Sequence, residues 1–198
     1  FNGAYEVGDS LVNAGFDVIL HATNHALDKG KKGLLNCIHF WQEHYPQIAV
    51  LGIHETQESA DDIYITQVNG IRIAILNYTY GTNGIALPKD MPYAVDLWNE
   101  NNIRRDMELA RQEADFIVVC PHWGTEYKLQ ETADQQAKAQ FLADLGADLI
   151  IGTHPHVIEP VKWITGESGN ETLVYYSLGN FINATSGTGA GTAARMVG

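Results

Sequence analysis

The sequence predicts an α/β fold built around a largely parallel sheet. Short apolar runs alternate along the chain with patterns of helical period, which is typical of strands and helices in such a sheet. Three of the runs indicate buried strands that are followed by histidine: Phe16–Leu20, Phe116–Cys120 and Leu149–Ile151. One antiparallel element is also expected, because Asn69-Gly70 lies between two β-rich runs and is a strong hairpin signal. The predicted sheet is therefore mixed.

The first half of the chain is predicted to contain two helices, two strands and the hairpin. A helix is expected over Ala4–Ala14, ended by Gly15, and it is followed by the strand Phe16–Leu20. The second helix, Lys31–Tyr45, carries apolar residues at helical spacing before Pro46 ends it. The remaining elements are a strand at Ile48–Leu51 and the hairpin at Ile63–Tyr78.

The second half begins with a loop from Tyr80 to Pro92 and then alternates helices and strands. One helix is predicted by a stripe of apolar residues, namely Ile103, Met107, Ala110 and Ala114. Thr132 and Gln135 are spaced as a capping box, so another helix is expected to begin there and to stop at Gly146. The last predicted strands are Val157–Ile164 and Thr172–Ser177, before a Gly/Ala/Thr-rich tail. Without an internal repeat or a long linker, one domain over residues 1–198 is expected.

The composition fits a globular domain and excludes several classes of partner. The 198 residues are 45% hydrophobic and 18% charged, which is typical of a domain with a sizeable core. The formal net charge of -12 opposes binding to nucleic acid or to an anionic membrane surface. The two cysteines, Cys37 and Cys120, are expected to be core thiols rather than a disulfide pair. No apolar stretch approaches the ~18 residues of a membrane span, and no signal peptide opens the chain.

The histidines after the three strands predict a metal site. Ligands gather at the carboxyl ends of parallel strands, and imidazole is a common ligand of zinc, manganese and iron. The candidates in the second half are His122, His154 and His156. In the first half, the adjacent residues Asn24 and His25 allow two roles. The Asn24 carbonyl oxygen can ligate a cation, and His25 can protonate a leaving oxygen. We expect Asn24 and the three histidines to converge on one cavity.

Each candidate also has a simpler interpretation. Gly152-Thr153-His154-Pro155-His156 can be a turn in which both imidazoles bond to backbone carbonyls. Glu126 fits a solvated loop charge, and the alternative is that it orients a liganding imidazole. For Asp28 we expect a cap on the next helix, and the alternative is that it fixes the tautomer of His25.

Six segments spread over nearly the whole chain carry a family resemblance. They are Gly15-Phe16-Asp17-Val18, Thr23-Asn24-His25-Ala26-Leu27-Asp28, His122-Trp123-Gly124-Thr125-Glu126-Tyr127, Gly146-Ala147-Asp148, Gly152-Thr153-His154-Pro155-His156 and Tyr176-Ser177-Leu178-Gly179-Asn180-Phe181. Together they closely resemble the bacterial capsule-synthesis CapA family, which is linked to poly-γ-glutamate production. That family is itself similar to calcineurin-like metallophosphoesterases. The resemblance therefore implies a calcineurin-like sandwich, with mixed β-sheets flanked by helices and a site for divalent metals.

The resemblance also implies roles for individual residues. Asn24, His122 and His154 would ligate one metal ion, and His156 would help to ligate another. His25 would be the general acid. The cofactor would be one or two ions of manganese, zinc or iron.

One departure from the family pattern bears on this site. Related phosphoesterases take further ligands from their first strands, and the Gly-Asp and Asn-Leu-Glu segments that open the CapA-like pattern lie upstream of the region where this chain starts. The chain is therefore expected to be truncated at both ends and to lack the N-terminal part of the fold. By itself it would bind metal weakly or not at all. A missing sheet edge would favour self-association.

The function that these expectations favour is a metal-dependent hydrolase of phosphoesterase type, active in full-length form in the synthesis or release of a capsule polymer. Its partners would be an anionic polymer or phosphoester substrate and the capsule machinery at the membrane. It would act at the extracellular face, anchored through an N-terminal segment. The alternative is a non-catalytic accessory or polymer-binding component. A third interpretation is an amidase that cuts γ-glutamyl bonds.

Overall fold

The order of helices and strands follows the alternation predicted from the sequence. The computed structural model describes residues 2–181, so the predicted tail beyond Phe181 lies outside the described residues. The helices in the described part are α1 Tyr5–Asn13, α2 Gly30–His44, α3 Gln57–Asp61, α4 Glu100–Glu113 and α5 Ala133–Asp144. The strands there are β1 Val18–Leu20, β2 Ala49–Leu51, β3 Tyr64–Val68, β4 Ile71–Thr79, β5 Phe116–His122, β6 Leu149–Ile151, β7 Val161–Thr165 and β8 Glu171–Tyr175.

The chain forms two compact units. Within the described residues, the first unit comprises residues 2–64 and Leu76–Asn99, and the second comprises Ile65–Ile75 and residues 100–181. Among the described helices, none is long and apolar enough to cross a membrane. Both cysteines are free thiols; Cys120 is buried, as predicted for a core thiol, whereas Cys37 is only partly buried.

The first unit is organised around the parallel pair β1 and β2 and the helix α2. Leu34, Ile38 and Trp41 of α2 are buried, which confirms the helical stripe predicted from the sequence. The apolar core also takes residues from the long segment after β4. Its buried members are Ala22, Leu27, Leu34, Ile38, Ile53, Met91, Ala94 and Val95.

The second unit holds most of a six-stranded sheet in the order β3-β4-β5-β6-β8-β7. The strands β5, β6 and β8 are parallel neighbours, whereas β7 runs antiparallel to β8. The hairpin between β3 and β4 turns at Asn69 and Gly70, whose φ angles of 52° and 88° match a type I′ turn. The predicted hairpin and the mixed sheet are thus confirmed. Because β5, β6 and β8 are parallel, their carboxyl ends share one edge of the sheet.

The observed ends of the helices and strands agree with the sequence prediction at some positions and differ at others. The helix α5 begins at the capping box of Thr132 and Gln135, as predicted. The strand β5 continues to His122 instead of ending at Cys120, because the carbonyl of Pro121 accepts a hydrogen bond of 3.0 Å from the Thr153 N–H. The sequence does not predict α3, a single turn that is capped by Thr56.

Candidate metal centre

Two histidines of the second unit are brought together by neighbouring parallel strands. His122 ends β5, and His154 lies three residues beyond the end of β6. The pairing of β5 and β6 continues past both strands, since the Trp123 N–H donates to the Thr153 carbonyl at 3.1 Å. The two imidazole rings consequently lie with their centroids 4.8 Å apart. The sequence prediction that strand ends would join these side chains is correct for this pair.

Each imidazole of the pair is held by its surroundings. The Nδ1 atom of His122 lies 3.0 Å from the Thr153 hydroxyl, which fixes the orientation of the ring. His154 is buried, with 8% of its surface exposed. Its backbone has a φ of 101°, which is unusual for a residue with a side chain. Strain of this kind is concentrated at functional sites, where surrounding contacts enforce it.

His156 is oriented by Asn180, which lies in the segment after β8. Its Nδ1 atom lies 2.9 Å from the Asn180 side-chain oxygen, which can only accept, so Nδ1 carries the proton. The Nε2 atom then has the lone pair that a metal ligand needs. The ring of Tyr127 stacks on His156 with the centroids 5.6 Å apart. The centroid of His156 lies 6.1 Å from that of His154.

Glu126 lies at the rim of this group. Its carboxylate oxygen is 3.9 Å from His156 Nε2, and its side chain is 45% exposed. At that distance and exposure the contact is a weak, solvent-screened one. The interpretation of Glu126 as a solvated loop charge fits this placement better than a role in fixing the ring.

The loop that follows β5 rests on a buried polar pair. Gly124 has a φ of 89°, and an added Cβ would lie within 2.8 Å of the Gln135 side chain. The Gln135 amide donates to the Glu159 carboxylate at 2.6 Å, and both side chains are fully buried. Burial raises the pKa of Glu159, because a carboxylate loses its hydration there. The Gln135 side chain of helix α5 therefore packs directly against the loop at Gly124.

Asn24 and His25 lie in the first unit after β1. Asn24 is buried, with 4% of its surface exposed, and its Nδ2 atom donates to the Asn83 side-chain oxygen at 3.1 Å. His25 Nδ1 lies 2.8 Å from the Asp28 carboxylate. The expected cap by Asp28 is wrong: the residue before α2 is Lys29, no side chain caps that helix, and Asp28 faces His25 instead. The carboxylate fixes the proton on Nδ1, which leaves Nε2 for chemistry.

His25 lines a cavity of the first unit. The cavity has a volume of about 720 Å³, which is in the range of small-molecule sites. His21 and Trp41 also line it, and the Trp41 indole donates to His21 Nε2 at 3.1 Å. Burial lowers the pKa of His21 to about 4, so this imidazole is neutral at physiological pH.

The donors of the second unit suit a divalent cation in their chemistry, but they do not complete a cage around one. His122, His154 and His156 present imidazole nitrogens on neighbouring rings, a ligand type that suits zinc, manganese or iron. Among residues 2–181, no group of three or more His, Cys, Asp or Glu side chains surrounds a single point closely enough to hold an ion. Asn24 belongs to the first unit and the histidines to the second, and their convergence on one cavity stays a prediction.

Three partners of these residues were not identified from the sequence. They are Asn83 beside Asn24, Thr153 beside His122 and Asn180 beside His156. Thr153 and Asn180 lie within the segments that carry the family resemblance, so their position was a usable signal. For Asn83 the signal was its pairing with Gly84, which marks a type I′ turn but does not say what the turn contacts.

Comparison with curated proteins identifies the family. Residues 1–185 match the family described as bacterial capsule synthesis protein PGA_cap. The chain is 35% identical over 173 residues to the PGA biosynthesis protein CapA of Bacillus subtilis (strain 168), covering 87% of this chain and 44% of that protein. It is 31% identical over 182 residues to the capsule biosynthesis protein CapA of Bacillus anthracis, covering 89% of this chain and 42% of that protein. The chain thus spans less than half the length of these relatives.

Solved structures establish the fold. NAD nucleotidase (NadN) of Haemophilus influenzae superposes with a TM-score of 0.59 at 18% identity, over 83% of this chain and 31% of that chain. A 5′-nucleotidase precursor from Thermus thermophilus gives a TM-score of 0.56 at 18% identity, over 83% of this chain and 33% of that chain. The predicted metallophosphoesterase-type fold is therefore confirmed. Because the family match extends over residues 1–185, the chain belongs to the bacterial capsule synthesis protein PGA_cap family.

Proposed function

We propose that the protein at the length at which it is encoded, called the natural-length protein below, is a metal-dependent hydrolase of phosphoesterase type. It would act in the synthesis or release of poly-γ-glutamate capsule. The observation that carries the proposal is the group of imidazoles at the carboxyl edge of the sheet, with the His122 and His154 rings 4.8 Å apart. The names of the two CapA relatives support the capsule role. The metallophosphoesterase-type fold supports the reaction class, although fold alone does not determine activity.

His122, His154 and the Asn24 carbonyl oxygen are proposed as ligands of one divalent ion, and His156 Nε2 as a ligand of a second. The chemistry that such ions supply is Lewis-acid polarisation of a phosphoryl or carbonyl oxygen. The chain's own contribution is to fix the donors. The Asn180 side-chain oxygen accepts a hydrogen bond from the Nδ1–H of His156, and the Thr153 hydroxyl contacts the His122 ring.

His25 is the proposed general acid. Asp28 lies 2.8 Å from its Nδ1 atom and orients the ring, so that in the proposed role the Nε2 atom carries the proton that is transferred. The His25 side chain is 36% exposed and lines the cavity of the first unit, so a substrate can reach it. Transfer of the Nε2 proton to the leaving oxygen prevents the build-up of an alkoxide.

The proposed partners are an anionic polymer or phosphoester substrate and the capsule machinery at the extracellular face of the membrane. A formal net charge of -12 opposes the approach of a polyanion. Binding of such a substrate thus depends on local positive charge, which bound cations provide. The same repulsion disfavours nucleic acid as a partner.

The general-acid role is tested with His25→Ala in the natural-length protein. The expected result is a fall in turnover of about 10²- to 10⁴-fold with unchanged metal content. His39→Ala is the matched control, because His39 is an exposed histidine paired with Glu55. Turnover on a nitrophenyl phosphodiester and metal content by elemental analysis are measured together. Parallel loss of metal and activity would make His25 a ligand instead.

A non-catalytic accessory or polymer-binding role is the second candidate. The observation in its favour is that, in the described part of the chain, no group of three His, Cys, Asp or Glu side chains can hold an ion. Stoichiometric metal together with hydrolysis of a phosphodiester or of poly-γ-glutamate by the natural-length protein would decide for the enzyme. Polymer binding without either would decide for the accessory role.

A further inference from the structure

The turn Thr82-Asn83-Gly84-Ile85 is built to hold one side chain in a fixed place. Asn83 and Gly84 have φ angles of 51° and 75°, and the Ile85 N–H donates to the Thr82 carbonyl at 2.9 Å. These values define a type I′ turn, which accepts Asn and Gly at its centre with little strain. Thr82 is buried, and its hydroxyl donates to the Ile85 carbonyl at 2.6 Å. Asn83 is therefore presented from a rigid base.

The Asn83 side chain meets both candidate site residues of the first unit. Its Oδ1 atom accepts from Asn24 Nδ2 at 3.1 Å, and its Nδ2 atom lies 3.4 Å from His25 Nδ1. His25 Nδ1 has its shorter contact, 2.8 Å, with the Asp28 carboxylate. Asp28 therefore determines the tautomer of His25, and the specific effect of Asn83 falls on Asn24.

An asparagine ligand has two orientations of similar shape that differ in chemistry. One presents the carbonyl oxygen to a cation, and the other presents an NH₂ group that repels it. Because the Asn24 Nδ2 atom donates to Asn83, its Oδ1 atom lies on the opposite side of the amide. At 4% exposure, Asn24 has little water nearby to substitute for this acceptor.

We propose that Asn83 is a positioning residue that locks the Asn24 amide with its carbonyl oxygen presented to a divalent cation. The inference rests on the proposed ligand role of Asn24. It predicts that an acceptor at position 83 is needed for full metal affinity. It also predicts that the acceptor need not be an amide.

The test is calorimetric titration of the natural-length protein with Mn²⁺ alone, without substrate. Asn83→Gly removes the acceptor and keeps the left-handed turn, whereas Asn83→Asp keeps an acceptor for Asn24. The expected results are a loss of affinity of about 10- to 100-fold for Asn83→Gly and a change within about threefold for Asn83→Asp. Asn69→Gly is the matched control, because Asn69 is an exposed residue with a φ of 52° in the other Asn-Gly turn. Its affinity should equal that of the wild type.

Asn24→Ala separates failure of this inference from failure of the proposed function. If Asn24→Ala loses affinity while Asn83→Gly binds like the wild type, the positioning role is overturned and the ligand role stands. If Asn24→Ala itself binds like the wild type, Asn24 is not a ligand. Equal losses in Asn83→Gly and Asn83→Asp would also overturn the acceptor role. Circular dichroism confirms that each variant is folded before titration.

Discussion

Replacement of Gly152 by alanine should destabilise the protein through a clash at the start of the His154 loop. A Cβ at this position would lie 2.1 Å from the Tyr176 carbonyl oxygen and 2.4 Å from Trp123 Nε1. Those two atoms are hydrogen-bonded to each other at 2.9 Å, and Trp123 is buried. The added methyl group therefore has to displace one partner of a buried hydrogen bond. Because one of the contacting atoms belongs to the backbone of the chain after β8, rotamer changes cannot relieve the clash.

The magnitude follows from two terms. Overpacking costs about 1–3 kcal/mol, and loss of the buried indole hydrogen bond costs about 1–3 kcal/mol more. For a chain of this size the total corresponds to a fall in Tm of about 4–24 °C. Urea and thermal unfolding followed by tryptophan fluorescence measure it, with Gly81→Ala as the control because no atom lies within 4 Å of a Cβ there. A Gly152→Ala variant as stable as Gly81→Ala would refute the close-approach argument.

Three further predictions concern single side chains. Asn180→Ala should lower Zn²⁺ affinity by about 10- to 100-fold in a calorimetric titration, because the His156 Nδ1–H loses its acceptor. An unchanged affinity would contradict the role of Asn180 in orienting His156. The Arg72 guanidinium hydrogen-bonds to Asp115 and holds the pKa of that carboxyl at about 2, below the ordinary 3.8. The contribution of this ion pair to the free energy of unfolding is thus complete above the ordinary carboxyl pKa and is lost as the pH falls toward 2. Asp115→Asn should therefore flatten the pH dependence of the free energy of urea unfolding between these two pH values. Burial raises the pKa of Cys120 to about 12, so its thiol should react with a disulfide reagent at neutral pH only after the protein unfolds. Rapid reaction of Cys120 in the native protein would disprove its burial.

Local signals in the sequence were sufficient where a short-range rule determines the structure. The Asn69-Gly70 hairpin and the capping box at Thr132 depend on neighbouring residues alone, and both form as predicted. The stripe of Leu34, Ile38 and Trp41 is buried for the same reason, since helical period places these residues on one face. The pairing of His122 with His154 was also predictable, because parallel strands end at the same edge of a sheet.

Side-chain partnerships across long sequence separations were not predictable in this way. Asn83 lies 59 residues from Asn24, and no local pattern states which turn meets which strand end. Asp28 shows a different error. A helix cap was expected there because Asp is common at helix N-termini, whereas the side chain contacts His25 three residues earlier. Two local interactions competed at Asp28, and its contact with the nearby imidazole formed instead of the helix cap.

Metal content of the natural-length protein tests the proposed metal site most directly. Elemental analysis of the wild type should show stoichiometric manganese, zinc or iron, and His122→Ala and His154→Ala should each lose most of it. His39→Ala should retain the wild-type content, because His39 pairs with Glu55 on the surface. A metal-free wild type that hydrolyses phosphodiesters, or His122→Ala and His154→Ala variants with unchanged metal content, would contradict the proposed site.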